Sequence, residues 1–455
     1  MSKDRKKEKF SSNSKNHSLF DNNYFIGIVL FVFSILLYQN TFNNGYALDD
    51  HTVISANKFT KQGISAITTI FTHAYWFGYD GSNNAVYRPF SLIIFAIEYD
   101  LFGKSAKISH IINVTLYGLT GILLFLTLLK LFKNNASIPK VNVRTISLVV
   151  SLLFLAHPIH TEVVANIKSR DEILSLLFVL FSIYLIFSYL KSNAIKHLLG
   201  GLICFLIALL SKETIFSFIA IIPILLYCFT NEHKHSIIKL SSGYLIVGAI
   251  YLLLRISFLN KSFSGDFAND VMTNSLLATN GYLDRLASCF FILLKYIALF
   301  LYPKDLTYDY SFNQIPNLEF FDLKSIASIL IIIGLLLFAI KKLPSKNIFS
   351  FSILYFFISI SIVSNIVIII GAPMAERFAY VPSLGFCIAL GYFLVLISDK
   401  IKFLTNHPQV KVFSLLAILL LAYSFKTVSR NNAWKNNLTL FETDIETSNN
   451  SSRAH

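Results

Sequence analysis

Charged side chains and cysteines are both scarce in this sequence. Lys, Arg, Asp and Glu make up 14% of the 455 residues, whereas a soluble domain carries about 25%. That shortage excludes an ordinary soluble domain, and apolar runs of roughly 20 residues, each long enough to cross a bilayer core, recur along the chain. The four cysteines lie singly inside apolar segments, which argues against disulfide pairing or metal-ligand spacing. The sequence therefore predicts an all-α polytopic membrane protein.

The positive charge is spread over short loops. The formal charge of +14 comes mostly from Lys and Arg between apolar runs, where they set membrane orientation. We therefore expect membrane lipids and no nucleic acid as partners. The first apolar run, 24–38, is not followed by a small-residue cleavage site, so no cleavable signal peptide is expected.

About eleven apolar runs are predicted to cross the membrane, with the N-terminus inside and the C-terminus outside. The run 286–301 is apolar enough to cross, but a crossing there would place later basic loops outside, and Lys295 lies in mid-segment. We predict that this run lies in the outer interface, together with a helix over 52–72 and an interfacial or re-entrant helix over 90–102. The predicted crossings are 24–38, 108–132, 146–156, 173–190, two helices in a hairpin around 211–213, 240–258, 323–340, 349–370, 378–397 and 412–425.

This topology divides the chain into three regions. Residues 1–22 are polar and basic and are predicted to form a cytoplasmic tail. Residues 23–427 form the membrane domain, whose first outer loop is 41–89. Residues 428–455 lie on the outer side, with Trp434, Leu438 and Phe441 at helical spacing.

Two adjacent carboxylates, Asp49 and Asp50, lie where the chain leaves the first crossing. Asp50 precedes Thr-Val-Ile, and an Asp in that position is a good N-cap for a following helix. A carboxylate fixed by its backbone at the membrane surface is also suited to take a proton from a hydroxyl. The two roles are compatible, and Asp49 is expected to be the freer side chain.

The predicted topology brings further polar motifs to the same outer side. Lys212 and Glu213 suit either a local ion pair or a phosphate contact, and Asp309 and Tyr310 suit either sugar binding or an aromatic belt. The pattern His-x-x-His-x-Glu beginning at His157 favours a hydrogen-bonding network that holds the Asp pair and the sugar. A metal site, whose geometry Pro158 disturbs, and solvated loop charges are the alternatives. The candidate substrate- or phosphate-binding residues are Arg88, His157, His160, Glu162, Arg170, Asp171, Lys212, Glu213, Asp309, Tyr310, Glu376 and Arg377. Four of them are cations that could meet a phosphate, namely Arg88, Arg170, Lys212 and Arg377.

As a set, these motifs resemble the membrane region of the TMTC family, the transmembrane and tetratricopeptide-repeat O-mannosyltransferases of the GT-C fold. One departure is Lys168-Ser169-Arg170-Asp171, which stands where the family usually has Gly-Arg-Ala-Asp. The matching stretches are Leu48-Asp49-Asp50, Tyr87-Arg88-Pro89, His110-Ile111-Ile112-Asn113, 157–165, Ser169-Arg170-Asp171, Lys212-Glu213, Asp309-Tyr310-Ser311 and 376–383.

The resemblance implies an inverting transferase with an Asp base, either Asp49 or Asp50. The donor would be a polyprenyl- or dolichyl-phosphate sugar, with mannose as the expected sugar, and the acceptor a protein Ser or Thr hydroxyl. The site would face the periplasm or the lumen of the endoplasmic reticulum. No cofactor is expected, although a divalent cation is left open. Residues 428–455 would lead into a tetratricopeptide-repeat region that is absent or truncated here.

Other functions fit parts of the same pattern. A flippase or transporter of lipid-linked sugars would also need buried charges, but transporters usually show repeated halves, and none is visible here. A GT-C enzyme that glycosylates a lipid or polysaccharide is a further alternative, as is a scaffold without chemistry. A glycine-rich nucleotide loop after a strand is lacking, so a soluble nucleotide-sugar donor is not indicated.

Overall fold

The computed structural model describes residues 22–81, 86–135, 138–139, 142–259, 270–398, 400 and 408–451. Every regular element within these ranges is helical, which confirms the all-α prediction. The predicted tail 1–22 lies outside the described residues except for Asn22. The α-helices are α1 (Asn23–Tyr38), α2 (Lys58–Lys61), α3 (Ile67–Thr72), α4 (Phe77–Asp80), α5 (Pro89–Phe102), α6 (Ala106–Phe132), α7 (Val143–Ala156), α8 (Thr161–Ala165), α9 (Arg170–Ser192), α10 (Ile195–Ser211), α11 (Phe218–Phe229), α12 (Lys234–Leu259), α13 (Tyr282–Leu301), α14 (Leu323–Lys342), α15 (Ile348–Ile360), α16 (Tyr380–Ser398), α17 (Pro408–Asn431) and α18 (Asn437–Ile445).

Polar side chains fix where several long helices begin. Asn22 accepts a hydrogen bond from the Tyr24 backbone at the start of α1, and Asp322 accepts one from Lys324 at the start of α14. Asn347 accepts from Phe349 and Ser350 at the start of α15. These bonds satisfy backbone N–H groups that have no partner inside the helix, and the apolar runs that follow then continue as helices.

Seven helices within the described residues are long and apolar enough to cross a membrane. The count becomes eight if α7 and Pro158–Ala165, which meet at a 52° bend, form one broken span. The chain is therefore a multi-pass membrane protein. Helices α10, α11 and α15, which we predicted to cross, are shorter apolar helices, so the count of eleven stays a prediction. The seven are Asn23–Thr41, Ala106–Phe132, Ile167–Ser192, Lys234–Leu259, Leu323–Ser345, Glu376–Ser398 and Gln409–Lys435.

The prediction of one helix over 52–72 is wrong. The segment forms four short pieces: a π-helical turn (His51–Ser55), α2, a 3-10 turn (Gly63–Ala66) and α3. Asn57 starts a new helix by accepting from Phe59 and Thr60. Gly63 ends it in the left-handed region at φ +65°, where a Cβ would lie 2.2 Å from Oδ1 of Asp100.

The prediction of a helix over 349–370 is also wrong in its second half. Helix α15 ends at Ile360 and a 3-10 turn (Ser361–Val363) follows. Asn365 then adopts φ +59°, and its side-chain amide donates to the carbonyls of Ala372 and Pro373. These local bonds compete with helical ones, so the chain turns before Glu376.

Aromatic and aliphatic side chains of α6, α7, α9 and α16 form the centre of the bundle. Tyr117, Phe154 and Tyr380 are completely buried, with ring centroids 5.4 to 6.4 Å apart. These rings surround His160, just where Pro158 ends α7 and the chain begins a series of tight turns. The interruption places polar side chains at one end of a tightly packed helix bundle.

The C-terminal segment folds back onto this end of the bundle. Helix α17 continues to Asn431, past the predicted boundary at 427/428. Trp434 lies in the following 3-10 turn rather than in α18, and it is buried in a cluster with Ala47, Ala165 and Leu440. The division into domains stays a prediction.

Candidate functional site

The two adjacent aspartates have different surroundings. Asp49 is exposed, whereas Asp50 is only 1% exposed. Oδ2 of Asp50 accepts a hydrogen bond from the Ala47 backbone at 2.9 Å, and Oδ1 accepts one from the Lys168 backbone at 2.6 Å. Asp50 is thus fixed between its own loop and the turn that precedes α9.

The prediction that Asp50 caps the following helix is wrong. Its side chain makes no capping bond to His51–Ser55, and its backbone has φ −57° and ψ −34°. A capping residue usually has an extended backbone, which turns its side chain toward the free N–H groups of the helix. Asp50 instead has helical dihedral angles, and its carboxylate accepts from an earlier loop residue and from a distant turn.

Burial raises the pKa of Asp50 to about 7, from an ordinary value of 3.8. The N–H groups of Ala47 and Lys168 act in the opposite direction, and the charge of Asp49 adds to the rise. The Asp49 charge also acts on Lys168 and on Arg377. Asp49 is therefore an exposed carboxylate within electrostatic reach of two cations.

Arg88 connects three parts of the chain. Its Nη1 lies 2.7 Å from Oδ2 of Asp171, and its Nη2 and Nε lie 2.5 and 2.8 Å from the two carboxylate oxygens of Glu213. The bidentate geometry is the one in which Arg binds a carboxylate best. The Arg88 side chain is 10% exposed and the Asp171 side chain is completely buried. This contact ties the first outer loop to the starts of α9 and of the segment after α10.

Lys212 does not form the local pair with Glu213 that the sequence left open. Its Nζ forms an ion pair with Glu172 and lies 3.6 Å from Oδ1 of Asp171. Lys168 Nζ lies 3.7 Å from Oδ2 of Asp171. Together with Arg88, these side chains form a network of three cations (Arg88, Lys168 and Lys212) and three carboxylates (Asp171, Glu172 and Glu213). Each charge in it has opposite charges nearby.

Arg170 lies in a separate, fully enclosed cluster. Its side chain is 0% exposed and forms an ion pair with Glu98. Its Nε donates to Oδ1 of Asn113 at 2.6 Å, and its Nη2 donates to the Ser109 carbonyl at 3.0 Å. Each guanidinium nitrogen therefore has a protein partner. The structure places Arg170 between α5 and α6, with its guanidinium completely buried.

The two predicted histidines bond to neighbouring helices. His160 Nδ1 lies 2.8 Å from the Tyr117 hydroxyl, and its Nε2 lies 2.8 Å from Oγ of Ser383. His157 Nε2 lies 3.2 Å from the Phe300 carbonyl. Within the described ranges, no group of three or more His, Cys, Asp or Glu side chains is arranged to hold a metal ion. The geometry matches the hydrogen-bonding alternative for this motif.

Glu162 and Arg377 form a further pair. Arg377 donates to Oε1 of Glu162 through Nη1 at 2.5 Å and to Oε2 through its backbone N–H at 2.8 Å. The Glu162 side chain is 1% exposed, whereas the Arg377 side chain is 28% exposed. Of the four predicted phosphate-binding cations, Arg377 is the most accessible, since the other three side chains are 10% exposed or less.

Asp309, Tyr310 and Glu376 hold the loop that follows α13. Glu376 Oε1 accepts from the Thr307 backbone at 2.5 Å and from the Tyr310 hydroxyl at 3.1 Å. Asp309 Oδ2 accepts from the backbone and hydroxyl of Ser311 at 3.2 and 2.5 Å. These side chains lie next to Arg377 in the fold, and they are hydrogen-bonded to other groups of the protein.

Several residues of this region were missed at the level of sequence. Glu98 and Glu172 carry the ion pairs of Arg170 and Lys212. The costly charge of Glu98 inside an apolar run was a usable signal. Tyr75 lies with its ring centroid 5.7 Å from the Arg88 guanidinium carbon. Its buried hydroxyl has no hydrogen-bond partner among the described residues, and no sequence signal marks it.

Comparisons with known proteins find similar sequences along most of this chain. The family described as "Dolichyl-phosphate-mannose-protein mannosyltransferase" matches residues 88–259. Protein O-mannosyl-transferase F38B6.6 of Caenorhabditis elegans is 28% identical over 423 residues, which cover 92% of this chain and 57% of that protein. Human protein O-mannosyl-transferase TMTC3 is 25% identical over 448 residues, which cover 91% of this chain and 47% of that protein. Human protein O-mannosyl-transferase TMTC1 is 24% identical over 469 residues, which cover 93% of this chain and 51% of that protein.

This chain thus spans about half the length of the relatives that it matches. The similarity covers about nine-tenths of the chain. The resemblance predicted from the motifs is confirmed: this all-helical membrane protein is similar to the TMTC O-mannosyl-transferases over most of its length, at modest identity.

Proposed function

We propose that this protein is a membrane glycosyltransferase that moves a sugar from a lipid-linked phosphate donor to a protein hydroxyl. The observation that carries the proposal is the contrast within the aspartate pair. Asp50 is buried and bound to two backbone N–H groups, whereas Asp49 is exposed and within electrostatic reach of Lys168 and Arg377. A general base needs an accessible carboxylate on a fixed backbone, and the buried carboxylate of Asp50 fixes the backbone that carries Asp49.

Asp49 is the proposed base. Its carboxylate accepts the proton of the acceptor hydroxyl while that oxygen attacks the anomeric carbon of the donor. The bond between this carbon and the phosphate oxygen breaks on the opposite face, and the electron pair leaves with the prenyl phosphate. The configuration at the anomeric carbon is inverted, as in other displacements by a base-activated hydroxyl.

Arg377 is the proposed phosphate contact. Its guanidinium is held by Glu162 yet remains 28% exposed, so it has free donor capacity toward solvent. Charge-assisted donors stabilise the negative charge that develops on a phosphate leaving group. Lys168, linked to Asp50 through its backbone and 3.7 Å from Asp171, supplies a second cation near Asp49.

Arg88, Lys212 and Arg170 act as supports in this proposal. Their charged groups are engaged by Asp171, Glu172, Glu213 and Glu98. Truncating one partner of a buried pair leaves an uncompensated charge, so each contact fixes the relative positions of the elements that it joins. They hold the turn at 166–171 against which Asp50 is anchored.

The substrates follow from the relatives and from the position of the site. The relatives are named as protein O-mannosyl-transferases, which supports mannose as the sugar and a protein hydroxyl as the acceptor. The site lies at the ends of apolar helices, where the headgroup of a prenyl phosphate would reach it while the tail stayed in the bilayer. We place it on the periplasmic or lumenal side, and the step that we propose uses no cofactor.

The test uses the full chain, purified and reconstituted in vesicles, with radiolabelled prenyl-phosphate mannose and a peptide rich in Ser and Thr. We expect label to appear on the peptide. Movement of the donor across the vesicle without labelled peptide would support a transporter. Labelled lipid or polysaccharide would support a different acceptor class. Neither transfer nor transport with any prenyl-phosphate sugar would overturn the proposal.

A further inference from the structure

The segment from 431 to 451 reaches back to the loop that carries the aspartates. The Lys435 carbonyl accepts from the Gly45 backbone at 2.9 Å. The Asn437 side-chain carbonyl, Oδ1, accepts from the Leu48 backbone at 2.7 Å, across 389 residues of sequence. The second bond ends at the residue immediately before Asp49.

Leu48 has an unusual backbone conformation. Its φ is +47°, in the left-handed region where a side chain with a Cβ is disfavoured. Such a conformation persists only when surrounding contacts enforce it. The bond from the Leu48 N–H to Asn437 is such a contact, and it is made by the residue immediately before Asp49.

We infer that Asn437 is a positioning residue for the proposed base. Its side-chain carbonyl holds Leu48 in the left-handed conformation and thereby sets the direction in which the Asp49 carboxylate leaves the loop. Asp50 fixes the other side of Asp49 through its bonds to Ala47 and Lys168. This inference rests on the proposed function, because Asp49 is the group being positioned.

The other end of the segment is tied to the opposite side of the site. Asp444 accepts from the Tyr308 backbone at 2.6 Å and from Arg430 Nη2 at 2.7 Å. The neighbouring Thr307 backbone donates to Glu376, next to Arg377. One segment therefore connects the loop of Asp49 with the loop beside Arg377, and it fixes the distance between the proposed base and the proposed phosphate contact.

The position of α18 does not depend on Asn437. Trp434 and Leu440 are buried at 1% and 0% exposure, and Arg430 forms an ion pair with Asp444. Asn436 caps the helix by accepting from the Thr439 backbone at 2.9 Å. Removing the Asn437 carbonyl should therefore release Leu48 without detaching α18.

Three variants test the inference. Asn437→Ala removes the acceptor, Asn437→Asp keeps an acceptor oxygen at the same place, and Asn436→Ala removes the helix cap without touching the loop of Asp49. We expect Asn437→Ala to lower kcat by about 10- to 100-fold with KM for the donor unchanged, because a small displacement of a reacting group has effects of this size. Asn437→Asp should restore most of kcat, and Asn436→Ala should retain it.

Hydrogen exchange of the peptide covering 44–50 provides a readout that needs no substrate. We expect Asn437→Ala to speed exchange at the Leu48 amide at least about tenfold, because a hydrogen-bonded amide exchanges only when its bond opens. Asn436→Ala and Asn437→Asp should leave it protected. Unchanged exchange in Asn437→Ala overturns the inference, as does a fall in kcat that Asn436→Ala reproduces. If the wild-type protein transfers no sugar, the proposed function fails, whereas exchange still decides whether Asn437 holds Leu48.

Discussion

Replacing Asp50 by Asn should remove a pH dependence from the stability of the protein. The folded-state pKa of Asp50 is raised by burial to about 7, against 3.8 in an exposed chain. The folded protein therefore holds a proton that the unfolded chain releases between these values. The stabilising contribution is fully present below pH 3.8 and is lost as the pH rises through 7. Asn at this position cannot titrate and has no such loss.

The size of the effect follows from the pKa shift. Each pKa unit corresponds to about 1.4 kcal/mol, so the wild-type protein should lose about 3 kcal/mol relative to Asp50→Asn between about pH 5 and pH 8. A constant offset is expected as well. The Asn amide can accept from only one of Ala47 and Lys168 and turns its NH2 group toward the other N–H, at a cost of about 1–3 kcal/mol.

The assay is a denaturant titration in mixed micelles, read by Trp fluorescence at several pH values. The difference in unfolding free energy between Asp50→Asn and wild type should change steadily with pH. As the pH rises, the stability of the variant should increase relative to that of the wild type. Asp49→Asn provides the matched control, because Asp49 is exposed. Parallel stability curves for wild type and Asp50→Asn would refute the reasoning, since they would mean that burial does not shift the Asp50 pKa.

Substitutions at two of the cations, Arg377 and Lys212, give further predictions. Arg377→Ala should raise the donor KM at least about tenfold in steady-state kinetics, because a charge-assisted phosphate contact is lost. Arg377→Lys should raise the donor KM by less. Equal KM values for these two variants and the wild type would exclude Arg377 as the phosphate contact. Lys212→Met should destabilise the fold by about 3–5 kcal/mol, because Glu172 and Asp171 keep buried charge with a missing partner. Thermal unfolding measures this loss, and Lys212→Met combined with Glu172→Gln should recover part of it; a Lys212→Met protein as stable as wild type would show that this ion pair is dispensable.

Long helices could be predicted where local signals decide the structure. Uninterrupted apolar runs specify long helices such as α6 and α12, because the hydrocarbon core requires backbone groups to bond internally. Helix ends could not be predicted where a side chain bonds to backbone groups nearby in the sequence. Asn57 and Asn365 each interrupt a helix that composition alone predicts to be continuous. The sequence does not show which backbone group the carboxamide of such an Asn will bond to.

The residues of the candidate site stay a prediction, and most of their contacts could not be predicted from the sequence. Motif spacing and orientation brought Asp49, Glu162 and Arg377 to one side of the bundle. The partners of the buried cations could not be predicted, because Arg170 pairs with Glu98 across 72 residues of sequence. The bond from Asn437 to Leu48, across 389 residues, was still less accessible, since it depends on how the last segment folds back.

The most direct test of the central claim is the rate of sugar transfer by Asp49→Ala. A general base contributes about 10²–10⁴-fold to a rate, so the account predicts a loss of kcat in that range, with α-helical content and thermal unfolding unchanged because Asp49 is exposed. Glu442→Ala, which removes an exposed carboxylate from α18, should transfer sugar at the wild-type rate. Turnover by Asp49→Ala equal to that of wild type would contradict the assignment of Asp49 as the base.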